Sequence, residues 1–298
     1  MKWLVVLVNL VILPLLLLLH PVSGLNGADY IQVHSVFPPI LQNYWENGMR
    51  FWAFGLNTVV TDNYIRLTES APDAKGYLWN RHSNHMESFE LNVTLQMRKR
   101  GSGFVGSTSD GGMGIWYTSA ETFTGDSDTV FFGFKRRFFG VGVVLDHSDV
   151  ISLVTNDGSF DLDANSMRVR RNGYCRVPAL GELHITITIR YEGGIANVLY
   201  VYHDNVEPRP EDYARCVFCT TASAPTLSGV YRFGVTAANS ALTQATHEIH
   251  SVIMTPLSDV SHHLEEENKA AQVRLFAADE KAAQQELLGS VGLNGEKG

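Results

Sequence analysis

Two stretches of the chain alternate apolar and polar residues with a period of two. In Phe89–Met97, residues Phe89, Leu91, Val93, Leu95 and Met97 share one side, while Glu90, Asn92, Thr94 and Gln96 share the other. Leu183–Tyr191 repeats the pattern, with Leu183, Ile185, Ile187, Ile189 and Tyr191 opposed to His184, Thr186, Thr188 and Arg190. Successive side chains of a strand point to opposite faces, so each run buries one face and wets the other, as in an antiparallel sandwich. Asn92 opens an Asn-Val-Thr sequon on the wet side, which makes it a candidate glycosylation acceptor.

Turn signals divide the rest of the middle into short strands. Asn156-Asp157-Gly158 separates Val150–Thr155 from Ser159–Leu162, and Gly193-Gly194 separates Leu183–Tyr191 from Ile195–Tyr202. Both read as hairpins. Further strands are expected at Val59–Leu67, Met113–Thr118, Phe138–Asp146, Val230–Ala237 and Glu248–Thr255. Many short strands, Gly-rich turns and no long amphipathic helix give an all-β sandwich, with residues 30–256 as one domain. After Pro256 the composition shifts to Ala, Glu, Gln and Lys, and residues 258–288 read as a helix. Leu264, Ala271 and Leu275 stand near heptad spacing in it, which leaves homo-oligomerisation open there. Residues 289–298 are expected to be a disordered end.

The first 24 residues carry one lysine, a long apolar run and small residues at Ser23 and Gly24, the pattern of a secretory signal peptide. An uncleaved anchor is the alternative, since Trp3–Leu19 approaches spanning length. Membrane attachment is otherwise expected only through a partner. With 31 acidic against 23 basic residues and a net charge of −8, nucleic acid is not an expected partner. The clusters Arg98-Lys99-Arg100 and Lys135-Arg136-Arg137 read as solvated loop charge. Entry into an oxidising compartment permits a disulfide among Cys175, Cys216 and Cys219. Cys216-x-x-Cys219 also has the spacing of a redox pair or half a zinc site, though no His pair stands nearby.

Ser109–Asp149 carries the chemistry. It holds two apolar runs, with Asp110 ahead of the first and Asp146 closing the second. Side by side, those strands would bring two carboxylates to neighbouring rims of one sheet, a layout for gripping a polar ligand with or without a cation. The alternative is two core strands with solvated ends. Trp116 and Tyr117 read as core residues rather than sugar platforms.

The order and spacing of several segments resemble the leguminous-type (L-type) lectin domains of the early secretory pathway. These are Phe51–Thr68, Gly76–Trp79, Phe89–Met97, Asp110–Thr118, Gly140–Asp146 and Tyr231–Ala238. The resemblance implies a concanavalin-like jelly roll, a disulfide between Cys175 and Cys216, and calcium beside the sugar site. It assigns Asp110, with Gly111 at the strict spacing, and the late loop Ser240-Ala241-Leu242 to sugar. Asp146 would serve both sugar and calcium, and Ser148, Asp149 and Asp163 would complete the metal site. Departures from the family pattern are evident: Val150 stands where an Asn is expected, Leu162 where a His is expected, and Asn165 where the second calcium Asp is expected. Asp161 and Asp163 lie near enough in sequence to substitute. A hard cation losing two or three oxygen ligands is no longer held at physiological concentration, so calcium is doubtful.

Jelly rolls with glycosidase activity carry a Glu-x-Asp-x-x-Glu strand to supply paired carboxylates, and this sequence has none. The expected function is therefore non-enzymatic. It is recognition of high-mannose N-glycans on glycoproteins moving from the endoplasmic reticulum through the intermediate compartment to the Golgi. The alternative is a sugar-independent protein-interaction scaffold on the same fold.

Overall fold

The computed structural model describes residues 30–45, 48–99, 111–119, 129–177, 183–203, 216–224, 231–241 and 244–257. The signal segment, Asp110, Leu242, the 258–288 tail and the 289–298 end lie outside the described residues.

Two seven-stranded antiparallel sheets face each other. One runs in the order β13 (Gly173–Arg176), β12 (Val150–Asp157), β11 (Phe139–Asp146), β8 (Gly112–Thr118), β17 (Arg232–Ala238), β6 (Lys75–Asn80) and β3 (Trp52–Leu56). This is the front sheet. The back sheet runs β16 (Val217–Ser223), β15 (Ile195–His203), β14 (His184–Glu192), β7 (Phe89–Lys99), β18 (Ala245–Pro256), β5 (Ile65–Thr68) and β4 (Val59–Val60). Two small pairs complete the described strands, β1 (Tyr44–Trp45) with β2 (Gly48–Met49) and β9 (Thr129–Phe131) with β10 (Phe134–Lys135). The expected all-β sandwich is what the chain forms.

The period-two runs behave as their pattern requires. Leu91, Val93 and Leu95 of β7 and Ile185 and Ile187 of β14 enter the core between the sheets, against Ile115, Val143, Phe233 and Val235 of the front sheet. Each such side chain contributes roughly 1.5–3 kcal/mol when fully buried. The front-sheet runs are apolar on both faces because both are covered, and every residue of β8 is buried. The outer cover is a second cluster of Trp79, Trp116, Val144 and Val154 with Phe131, Phe132, Phe134, Phe138, Leu162 and Met167. The Trp116 ring stacks on Phe134 with centroids 4.6 Å apart. It lies flat over Gly114 and Gly142, where an added Cβ would meet the ring at 2.3 and 2.4 Å.

Three expectations are corrected here. Ser159–Leu162 is not a strand. Asn156 Oδ1 accepts the Gly158 N–H at 2.9 Å and Asp157 Oδ1 accepts the Ser159 N–H at 3.0 Å, and these short bonds turn the chain away from β12. Helix α1 (Ala164–Arg170) follows and seats Met167, with Leu162 just ahead of it, in the outer cluster. Alternation over four residues could not outweigh that turn chemistry.

The disulfide joins Cys175 to Cys219, not Cys216, with Cα atoms 5.4 Å apart. β13 packs directly on β16, so a Cβ built on Gly173 would lie 1.8 Å from Thr220 Oγ1. Cys219 sits inside β16, where Cys175 of β13 can reach it, whereas Cys216 precedes the strand and stays a free thiol. The bridge ties an edge strand of one sheet to an edge strand of the other.

Asn92 lies in a central strand and is only 8 % exposed. Its Nδ2 donates to Glu90 Oε1 at 3.0 Å and its Oδ1 accepts from Thr188 Oγ1 at 2.6 Å. The side expected to be wet is a closed polar network, continued by Thr94, Thr186 and His203. The folded chain therefore does not offer this amide to a glycosylating enzyme.

Candidate functional site

Strand register builds the site. Asp146, the last residue of β11, pairs with Gly112, the first of β8, and Gly112 pairs with Ala238, the last of β17. Three neighbouring strands thus end in one row. Gly111 leads into that row, and Asn239, Ser240 and Ala241 lead out of it. Asp146, Gly111, Ser240 and Ala241 share a rim, whereas Asp110, the residue expected opposite Asp146, and Leu242 lie outside the described residues.

The rim is held from behind. Gly112 has φ +139°, and a Cβ there would lie 2.1 Å from Leu145 O, so no side chain fits at this crossing. Phe132 packs against the same glycine. It is fixed by a relay in which Trp116 Nε1 donates to Thr236 Oγ1 at 2.7 Å and Thr236 donates to Phe132 O at 2.6 Å. Trp116 and Tyr117 are buried, as expected of core residues, and Asn84 Nδ2 donates to the Tyr117 hydroxyl at 3.1 Å. Sequence reasoning missed Asn239. Its Nδ2 donates to the carbonyls of Glu69, Ala71 and Ala245, and its Oδ1 accepts the Ala245 N–H, anchoring both ends of the late loop. An Asn directly after an apolar strand was the available signal.

The carboxylates beside the rim already have partners in the chain. Asp146 Oδ1 accepts the backbone N–H groups of Ser148 at 2.8 Å and Val150 at 3.2 Å, closing the β11–β12 turn. Asp149 has φ +62° and takes the Lys99 ammonium at 2.5 Å. Lys99 is thus no solvated loop charge: it ends β7 in the opposite sheet and its side chain is 19 % exposed. Asp163 caps α1, exchanging bonds with Ser166 in a capping box that holds its carboxyl below the usual carboxylate range. Asn165 is exposed on that helix, and Leu162 and Val150 are buried apolar residues. Asp161 pairs with Arg137.

A calcium ion needs six to eight oxygens at about 2.3–2.6 Å. The side-chain oxygens gathered at the rim, among the described residues, fall short of that number. Among the described residues, no group of three or more His, Cys, Asp or Glu side chains could hold a metal. In the structure Asp149 is an ion-pair partner of Lys99 and Asp163 is a helix cap. Ser148 stays in the turn as the backbone donor that Asp146 uses.

Two groups of buried and half-buried histidines also escaped the sequence, because sheet pairing brings distant positions together. His147 Nε2 lies 3.3 Å from His247 Nε2, and His247 Nδ1 lies 2.6 Å from Thr68 Oγ1. Burial and then the Lys99 charge push His147 down to about 4. Burial and then His147 push His247 well below the ordinary imidazole value. On the outer side of the back sheet, His184 lies against His203 and His250 with centroids 6.0 and 4.6 Å away.

This architecture matches known proteins. Vesicular integral-membrane protein VIP36 of dog is 28% identical over 270 residues, covering 85% of this chain and 71% of that one. Rat Protein ERGIC-53 is 25% identical over 228 residues, covering 70% of this chain and 40% of its own length. The crystal structure of the VIP36 exoplasmic/lumenal domain in its Ca2+/Man3GlcNAc-bound form superposes with a TM-score of 0.60 at 23% identity. That match covers 76% of this chain and 90% of that one. The legume lectin-like domain from Entamoeba histolytica gives a TM-score of 0.58 at 19% identity, over 76% of this chain and 97% of that one. The Legume-like lectin family profile matches residues 28–263, and the chain belongs to that family, one of lectins rather than enzymes.

Proposed function

We propose that the chain is a lumenal lectin of the early secretory pathway that binds high-mannose glycans on glycoproteins in transit from the endoplasmic reticulum to the Golgi. The observation that carries this reading is the register row Asp146–Gly112–Ala238, which brings the acidic loop end and the late loop to one rim. Vicinal sugar hydroxyls donate and accept at fixed angles, so they need carboxylate and backbone groups converging from more than one strand end. Asp110 and Gly111 supply such groups before β8, and Ser240, Ala241 and Leu242 supply them after β17. Asp146 acts indirectly, by holding its own turn in place. The mannose-bound forms solved for the VIP36 lumenal domain support the sugar class. The apolar leader with its small-residue end supports lumenal delivery, and the near-heptad spacing of Leu264, Ala271 and Leu275 supports self-association.

A second reading has its own observation. Asp146 and Asp149 are engaged by the chain itself, which leaves fewer free groups for a sugar and favours a protein-interaction role for the rim. Glycan-array binding of the secreted chain, with and without chelator, separates the two. Retention of high-mannose structures that is lost in Asp110→Asn supports the lectin. Folded protein that binds no glycan, yet keeps its glycoprotein partners after their deglycosylation, assigns the scaffold.

A further inference from the structure

We propose that the Lys99 ammonium does at this rim the work of a bound cation, so that the β11–β12 turn is ordered without calcium. The ion pair joins the two layers: Lys99 ends β7 of the back sheet, and Asp149 belongs to the turn after β11 of the front sheet. The Asp149 backbone is also fixed. Its N–H donates to Asp146 O at 3.3 Å and its carbonyl accepts the Val177 N–H at 2.8 Å. Its φ of +62° puts this residue in the left-handed region at the tip of the turn.

The same turn is pinned a second time. His147, between the two aspartates, is buried and reaches His247 of β18, which is bonded to Thr68 of β5. A divalent ion would have to compete with the ammonium for Asp149, sit beside an Asp146 whose Oδ1 already accepts two N–H bonds, and do without a side-chain oxygen at Val150. Its charge would also stand beside that of Lys99. A positive charge placed by the sequence thus occupies the position where the family resemblance implies a soluble one. The inference does not depend on whether the rim takes a glycan, because its test reads calcium and stability rather than sugar.

The test is the melting temperature of the secreted full chain in chelator and in millimolar calcium, with calorimetric titration of calcium alongside. The native chain should change by less than about 1 °C and show no binding heat. Lys99→Met should melt about 3–6 °C lower and regain part of that with calcium, which then has the freed carboxylate to bind. Lys99→Arg should retain native behaviour, and Lys99→Met with Asp149→Asn should not respond to calcium. A native chain stabilised by several degrees with calcium overturns the proposal. So does a Lys99→Met chain that melts like the native one, or one that loses stability with no calcium response. Should Lys99→Met fail to fold, the native titration decides.

Discussion

Replacing each cysteine in turn gives a strong test of how the two layers are joined. The chain closed by Cys175–Cys219 spans 44 residues of sequence separation. Restricting the unfolded chain by a loop of that length stabilises the fold by about 4 kcal/mol on the chain-entropy account. For a domain of this size each kcal/mol moves the melting temperature about 2–4 °C, so losing the bridge should lower it by about 8–16 °C. Cys219→Ala should therefore melt far below the native protein, and Cys175→Ala should fall by a similar amount. Cys216→Ala removes a half-buried free thiol ahead of β16 and should stay within about 2 °C of native. Differential scanning calorimetry of the three secreted chains measures this. Alkylation of the unreduced native protein, followed by peptide mass spectrometry, should place the label on Cys216. The reasoning fails if Cys216→Ala costs as much as Cys175→Ala while Cys219→Ala is neutral. That result would make the Cys175–Cys216 pairing implied by the family resemblance correct and the register of β16 against β13 wrong.

Acid should destabilise the domain through its buried histidines. His147 and His250 are both held down to about 4, chiefly by burial, with Lys99 facing the first and His184, Arg98 and His203 facing the second. Their unfolded forms take protons below about 6.5, so stability falls as pH drops from there toward 4, by up to about 3 kcal/mol for each group. A melting temperature flat between pH 7 and about 5 would contradict this, and His147→Gln should shallow the slope. Gly112→Ala should lower the melting temperature by more than about 10 °C, because its Cβ meets Leu145 O. Gly193→Ala, with φ +57° and nothing within 4 Å, should cost only about 1 kcal/mol; equal losses at the two sites would refute the steric argument. Asn239→Ala leaves several buried backbone groups without partners and should cost about 2–4 kcal/mol, seen in a urea titration as a lower midpoint with an unchanged slope. A midpoint within error of native would mean that the late loop is held by something else.

What the sequence makes legible here is set by the range of the interaction concerned. Alternation in Phe89–Met97 is a local signal for which side chains meet the core, and the core follows it. The apolar runs ending at Thr118 and Asp146 likewise announce strands covered on both faces. Asp146 and Gly112 come together because two such strands pair, so their common rim could be inferred from the runs alone. The fate of each carboxylate could not. It depends on contacts the motif does not record: Lys99 reaches Asp149 from 50 residues away, and at the same rim the hydrogen bonds that fix Asn239 reach back about 170 residues to Glu69. A family pattern carried along the sequence keeps Asp149 and Asp163 as acidic ligands because it records residue type and spacing. An oxygen that already accepts an ammonium or caps a helix has the same letter as one that is free. For a degenerate binding site, then, the informative question is what each ligand atom touches, since a substitution elsewhere can fill its coordination without altering the motif. Lys99 is the case in point: it looked like one of three basic residues in a row, and only its position at the end of β7 gives its charge a destination.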